Sequence, residues 1–368
     1  MKQHILICGA SFAGLSTAFW MQRLGHKVTV IDIAAGLRAG GTPVDIKDNT
    51  VEIARRMGIL GEIDAARLNT RVWEFKNAFD VTEGRMGGQE GQPRAESDIE
   101  IERFQLLNIL CDQIRDRVAF RFDASISAMT ETKDGMRITF KDGSEEDFEL
   151  VFGCDGLHSA VRRLWFGPEA EFMHFLGQYF SITIVDKLLI PLDTTQMFGV
   201  PDKGVMLTAY KGRTDIVLCF RSEAEIPYDY RDEAQQRQII RDQFAQEGWR
   251  IPELLREVDA SGTFYFDKLC QIKMPSWTKG RVALVGDAGY CASPAAGMGG
   301  SLAIDGAGAL AEAFEASGGD FAAAFRAYDQ NFRPFIAQIQ TEAEGRLDLL
   351  LPRTEEGIRM RNTQADGF

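Results

Sequence analysis

Few residues in this chain could hold a metal, and few could cross-link it. Its six cysteines, Cys8, Cys111, Cys154, Cys219, Cys270 and Cys291, are scattered without a C-x-x-C pair, which points to reduced thiols in a cytoplasmic protein and away from a disulfide scaffold. The four histidines, His4, His26, His158 and His174, show no ligand spacing, so no zinc site is expected. No block of five or six basic residues occurs, and 41 Lys and Arg stand against 54 Asp and Glu, a formal net charge of -13. Such a balance repels phosphate backbones and anionic membranes, so nucleic acid is an unexpected partner. Long hydrophobic runs are missing as well. Lys2 followed by the uncharged stretch from His4 to Gln22 resembles a signal peptide only superficially, because Gly9, Ser11, Gly14 and Ser16 interrupt it. Asp287 and Asp305 interrupt the small-residue stretch near residue 300, so no membrane span is expected.

What the chain does have is an ordinary globular composition, 45% apolar and 26% charged over 368 residues, long enough for two domains and a sizeable pocket. His4 to Cys8 reads as a buried strand, the next residues as a Gly-rich turn, Leu15 to Leu24 as a helix and Lys27 to Ile31 as a second strand. Helices are expected over 50 to 58, 102 to 116 and 233 to 246, and along Phe321 to Leu351. Strands are expected over 118 to 122, 125 to 132, 136 to 140, 149 to 154 and 281 to 285. Between about 170 and 270 aromatic residues punctuate strand-like segments. This order predicts an α/β fold with a discontinuous Rossmann-like domain built from 1–75, 95–170 and 275–318. A β-sheet substrate domain would take 76–94 and 171–274, and a C-terminal helix and tail 319–368. Gly84 to Gly91 reads as a surface loop.

Four motifs carry chemistry. Gly9-Ala10-Ser11-Phe12-Ala13-Gly14 joins strand to helix: Gly9 allows a tight turn, a small residue at 11 lets backbone approach a pyrophosphate, and Gly14 permits close helix packing. Asp32, 18 positions beyond Gly14 at the end of the second strand, is placed to accept bonds from a ribose diol. Gly9 to Ala13 also nearly spells a hydrolase G-x-S-x-G elbow, but it follows the first strand and lacks a fitting later Asp and His. The second motif, Arg103-Phe104-Gln105-Leu106, opens a helix, and alone it reads equally as a solvated arginine. The third, Cys154-Asp155-Gly156 through Arg162-Arg163, is a turn in which Asp155 or Ser159 could simply cap a helix. The fourth runs from Arg281 through Gly286-Asp287 to Pro294-Ala295-Ala296-Gly297-Met298-Gly299-Gly300. It pairs a strand-end carboxylate, suited to hydroxyl donors, with a Gly-rich helix start that stabilises negative charge.

In this order the four motifs resemble those of the class A flavoprotein monooxygenases, the p-hydroxybenzoate hydroxylase-like family. Arg38-Ala39-Gly40-Gly41-Thr42-Pro43-Val44-Asp45-Ile46 is similar to a segment of its tetracycline-inactivating branch. The resemblance implies FAD as cofactor, with NADPH or NADH as a transient reductant that has no Rossmann domain of its own. It implies that Gly9, Ser11, Ala13 and Gly14 form the FAD-binding turn, that Asp32 holds the adenosine ribose, that Asp45, Arg103 and Asp155 contact FAD, that Asp287 holds its ribitol and pyrophosphate region, and that Gly297, Met298, Gly299 and Gly300 meet the flavin pyrimidine edge. Arg38 is implied beside NADPH or substrate, and Asp155 and Arg162 beside both nucleotides. Tyr290 and Met298 stand where the family often has His and Gln, leaving only backbone roles there. Gln178, Tyr210, Arg221 and Pro294 are substrate candidates by location.

The implied activity is insertion of one oxygen atom from O2 into an aromatic, phenolic or polyketide small molecule, tetracycline-like included, by a monomer or weak dimer. No catalytic side chain is assigned, since the flavin does the chemistry. A flavin dehydrogenase or reductase, a non-enzymatic FAD redox sensor, and a halogenase suggested by Trp249-Arg250-Ile251-Pro252 are the alternatives.

Overall fold

The computed structural model describes residues 2–38, 40–69, 71–87 and 98–363. Ile5, Leu6, Ile7 and Cys8 are buried without alternation, the mark of a strand covered on both faces. His4–Cys8 lies parallel between Lys27–Ile31 and Leu150–Gly153. The six-stranded sheet runs Thr278–Lys279, Val282–Leu284, Leu150–Gly153, His4–Cys8, Lys27–Ile31, Ala119–Arg121. Only the edge pair Thr278–Lys279 with Val282–Leu284 is antiparallel. Strands from three distant stretches of chain share this sheet, so the domain is discontinuous, as its order of elements requires. The helices Phe12–Arg23 and Gly299–Ala316 pack against each other. A three-stranded excursion, Ile126–Glu131, Met136–Phe140 and Glu145–Phe148, adds Met136, Ile138 and Phe148 to the same core.

A second sheet of seven strands runs Phe264–Ile272, Met173–Val185, Arg213–Arg221, Lys203–Tyr210, Thr194–Val200, Val72–Lys76, Thr82–Met86. Side chains alternate across it. Tyr179, Leu207, Ile216, Leu218, Phe220 and Phe266 turn to one face and pack on helices Glu233–Phe244 and Ile251–Ala260 through Ile240, Phe244, Leu254 and Val258. By register, Phe180, Ile182, Ile184, Met206, Val217 and Tyr265 belong to the opposite face. That face looks back at the first domain: a Cβ on Gly40 would lie 3.8 Å from Thr263 Cγ2 and 3.9 Å from Ile184 Cδ1.

Three expectations change. The boundary placed between residues 75 and 76 cuts through Val72–Lys76, which pairs parallel with Thr194–Val200, so the whole hairpin from Val72 to Met86 joins the second sheet; residues 88–97 lie outside the described part. Gly84 to Met86 accordingly sits in a strand, not a loop. The expected tail contains a second helix, Glu355–Thr363. It docks on that hairpin, with Asn362 Nδ2 donating to Glu83 and its backbone so close that a Cβ on Gly84 would stand 1.8 Å from Asn362 O.

Candidate active site

The Gly-rich turn is dictated by contact. Gly9 has φ +108°, and a Cβ there would lie 2.3 Å from Cys154 O, while one on Gly14 would lie 1.8 Å from Gly9 O. No side chain fits at either place. Helix Phe12–Arg23 begins with Leu15 N donating to Ser11 O, and Ser11 makes no side-chain capping bond. The first N–H groups of the helix therefore point outward, and they carry the positive end of its dipole. Asp32 ends the neighbouring strand, its carboxylate oriented by Ala10 N at 2.7 Å and Ala34 N at 2.8 Å.

Arg103, at the start of helix Arg103–Asp112, donates from Nη2 to Ser11 Oγ at 3.1 Å and stacks 4.6 Å over Phe12. Its stem lies against Gly41, where an added Cβ would come within 2.6 Å of Arg103 Cδ. Burial pulls its pKa down, and Asp287 and Tyr265 oppose that pull. Burial pushes the Asp287 carboxyl up, opposed by Arg103. Asp287, Pro294, Gly297 and Gly299 nevertheless keep accessible surface, as groups lining a recess do. Gly297 takes φ +67° and leads into helix Gly299–Ala316, whose cap residue Met298 makes no side-chain bond. This second open helix start is clamped to the antiparallel pair of strands Val44–Lys47 and Asp98–Ile101: Ser301 Oγ donates to Asp45 O at 2.7 Å, and an added Cβ on Gly300 would lie 3.3 Å from Val44 Cβ. Two uncapped helix ends, Arg103 and the carboxylates of Asp32 and Asp287 thus line one cleft.

Residues 2–343 match the model of a family described as an FAD binding domain. The chain is 34% identical over 339 residues to a flavin-dependent monooxygenase of Legionella longbeachae, covering 90% of this chain and 85% of that one. It belongs to the class A flavin-dependent monooxygenases. The crystal structure of tetracycline destructase Tet(51) superposes with a TM-score of 0.88 at 32% identity, covering 99% of this chain and 95% of that chain. Klebsiella pneumoniae HpxO complexed with FAD and uric acid shares the fold, with a TM-score of 0.76 at 22% identity over 98% of this chain and 92% of that chain. FAD is the monooxygenase's cofactor.

Other expected residues of the monooxygenase fall in varied places. Arg38 is exposed and close enough to Arg103 to depress its pKa. Asp45 pairs with Lys47 at 3.2 Å, with its backbone in the clamp. Ala13 is buried in the nucleotide helix. Asp155 accepts from Ser159 Oγ, Ala160 N and Val161 N, so its side chain caps helix Ala160–Trp165. Arg162, fully buried, braces the same turn through Leu157 O, Ala288 O and Glu169.

Three of the four substrate candidates are engaged by other groups of the chain. Gln178 Nε2 and Arg221 Nη2 both donate to Leu347 O, and Arg221 also reaches Leu351 O and Asp348, so both tie down the end of helix Phe321–Leu350. Tyr210 is buried, its hydroxyl 3.1 Å from each Asp215 oxygen. Pro294 stays in the cleft. Trp249 stacks 5.0 Å from Phe198 on the helix-covered face of the second sheet. Sequence reading missed Tyr265, half exposed beside Arg103 and Asp287. The alternation of Phe264, Tyr265, Phe266 and Asp267 was the available signal: Tyr265 and Asp267 share the recess face and the two phenylalanines the other. Among the described residues, no group of three or more His, Cys, Asp or Glu could hold a metal ion, and no helix is long and apolar enough to cross a membrane.

Proposed function

We propose that this monooxygenase inserts one oxygen atom from O2 into an aromatic, phenolic or tetracycline-like polyketide, with NADPH or NADH as transient reductant. The residues present fit FAD: only glycine can occupy the turn at Gly9 and Gly14, and the carboxylates of Asp32 and Asp287 and the guanidinium of Arg103 converge with two open helix starts. In this reading Asp32 holds the adenosine ribose, and the helix start at Phe12 takes the pyrophosphate together with Arg103. Asp287 holds the ribitol region, Asp45 contacts the flavin, and the segment from Gly297 to Gly300 meets its pyrimidine edge, where the helix dipole favours negative charge. Arg38 sits at the mouth, suited to a phosphate or anionic substrate.

When bound, FAD would pass the electrons of NAD(P)H to O2 and so activate it. The chain's own side chains do the rest. The recess face of the second sheet, with Phe180, Ile182, Ile184, Met206 and Val217, gives a planar substrate an apolar wall and excludes water. The likeness to tetracycline destructase Tet(51) supports a polycyclic, oxygen-rich substrate. The observation that carries the reading is the convergence of Arg103 and Asp287 at the uncapped helix starts, directly below that wall.

Oxygen consumption by FAD-loaded protein with NADPH, measured before and after adding phenols and tetracyclines, tests it. Stimulated consumption with a product heavier by one oxygen supports the proposal. Yellow protein that oxidises NADPH only when an artificial acceptor is added overturns it in favour of a dehydrogenase.

A further inference from the structure

A chain of hydrogen bonds leaves the recess and ends at the surface. Tyr265, half exposed in the recess, donates from its hydroxyl to Asp267 Oδ2 at 2.8 Å. The same oxygen lies 3.4 Å from His158 Nε2, and His158 Nδ1 lies 3.0 Å from Glu169. Asp267 is 3% exposed, whereas the His158 side chain is 39% exposed. Both ends of the chain are open and its middle is sealed. We infer that Tyr265, Asp267 and His158 form a relay that delivers a proton from solvent to an anionic oxygen in the recess. This rests on the monooxygenase reading, in which O2, NAD(P)H and one proton become water, NAD(P)+ and the inserted oxygen.

The step balances. The Tyr265 hydroxyl turns toward the recess and gives its proton to the anionic oxygen, forming that O–H bond. Its phenolate oxygen then takes the proton that breaks from His158 Nε2 and passes through Asp267 Oδ2. Neutral His158 recovers a proton from water. The surroundings suit this direction. Asp267 and Glu169 hold the His158 pKa up to about 9, so it stores a proton at neutral pH. Tyr230 stacks on the imidazole at 5.8 Å and carries Arg231 on its ring, while Arg163 meets the His158 carbonyl and faces Glu169. Glu169 is shared with Arg162. Asp267 Oδ1 is occupied by Tyr228 Oη at 3.2 Å and Lys268 N at 2.8 Å, leaving Oδ2 as the shuttling atom. Burial and Asp267 keep Tyr265 protonated, as a donor must be.

The test uses FAD-loaded protein with 4-nitrophenol, whose absorbance reports its ionisation. After a jump from pH 8 to pH 6, the bound probe should protonate about tenfold or more slowly in His158→Gln and Asp267→Asn than in the unaltered protein. Its affinity should change little. Tyr265→Phe should uncouple the probe in the same way, and added imidazole should restore the fast phase in His158→Ala. Equal relaxation in all proteins, absence of a bound probe, or no response to imidazole overturns the relay. The jump needs neither O2 nor NADPH. Failure of the oxygen-transfer reading therefore shows in oxygen consumption and failure of the relay in the relaxation.

Discussion

Gly9 shows how little freedom one residue of the cofactor turn has. Its positive φ and the 2.3 Å approach of Cys154 O act together, so Gly9→Ala meets both backbone strain and a clash with main chain that cannot move aside. Purified Gly9→Ala should retain far less FAD, read from its 450 nm absorbance, and melt at lower temperature. Retention equal to the unaltered protein would show that the turn tolerates a shift. Arg103 is a second single-residue test. It bonds Ser11, stacks on Phe12 and faces Asp287, so Arg103→Ala should weaken FAD binding about tenfold or more, the loss typical of a charge-assisted hydrogen bond of about 1.5 kcal/mol or above. Arg103→Lys should recover only part, because an ammonium has neither the planar fork nor the stacking face. Equilibrium titration of apoprotein with FAD reads both variants.

At the scale of elements, the helices divide into those closed by their own side chains and those left open. Asp320 caps helix Phe321–Leu350 through Ala322 N and Ala323 N, and Ser159 caps Ala160–Trp165 through Arg162 N. The two helices that begin at the cleft, Phe12–Arg23 and Gly299–Ala316, have no side-chain cap. A capping bond contributes roughly 1 kcal/mol, and helices Asn49–Met57, Arg103–Asp112 and Ile251–Ala260 also go without one, so what sets the two cleft helices apart is the convergence of Arg103 and Asp287 on their starts. Asp320→Ala should lower stability by about 1 kcal/mol in denaturant unfolding while leaving FAD affinity intact. A change in FAD affinity would contradict the separation of structural caps from ligand-facing ones. The far end of the same long helix is held by Gln178 and Arg221.

For the whole molecule, buried titratable groups set the direction of its pH response. Asp305, inside helix Gly299–Ala316, accepts from Thr50 Oγ1 at 2.8 Å, and burial raises its pKa to about 7. Burial likewise raises Asp215 to about 7 beside Tyr210. Each folded carboxyl holds its proton over a range where the unfolded chain, at its ordinary value near 3.8, has lost it. Stability from these groups therefore falls as pH rises from about 4 to about 7. His158 acts in the same direction at higher pH: its contribution is full below its unfolded value of 6.5 and is lost as pH rises through about 9. Melting temperature should accordingly decline from pH 5 to pH 9. Asp305→Asn keeps an acceptor for Thr50 and removes the buried charge, so it should melt higher than the unaltered protein at pH 8 and not at pH 5. Equal gain at both pH values would assign the effect to packing.

Local chemistry by itself determined the cofactor half of the protein. The turn from Gly9 to Gly14, Asp32 at a strand end and the glycines before residue 300 owe their roles to φ, to side-chain size and to the bonding needs of adjacent backbone. All of these are written within a few residues of each other. The α/β class and the discontinuity of the first domain followed from the order of such pieces. Tertiary structure alone decided the other half. Whether Asp155 faces a ligand or caps its own helix depends on how its turn closes, and Gln178 and Arg221 found the end of a helix more than a hundred residues away. The hairpin from Val72 to Met86 and the helix Glu355–Thr363 hold each other in place across nearly the whole chain. Tyr265, Asp267 and His158 meet only because an antiparallel sheet lays one face over the nucleotide domain. Contacts of that range depend on register and on which face of a sheet is covered, and a period-two pattern leaves the choice of face open until the layers pack.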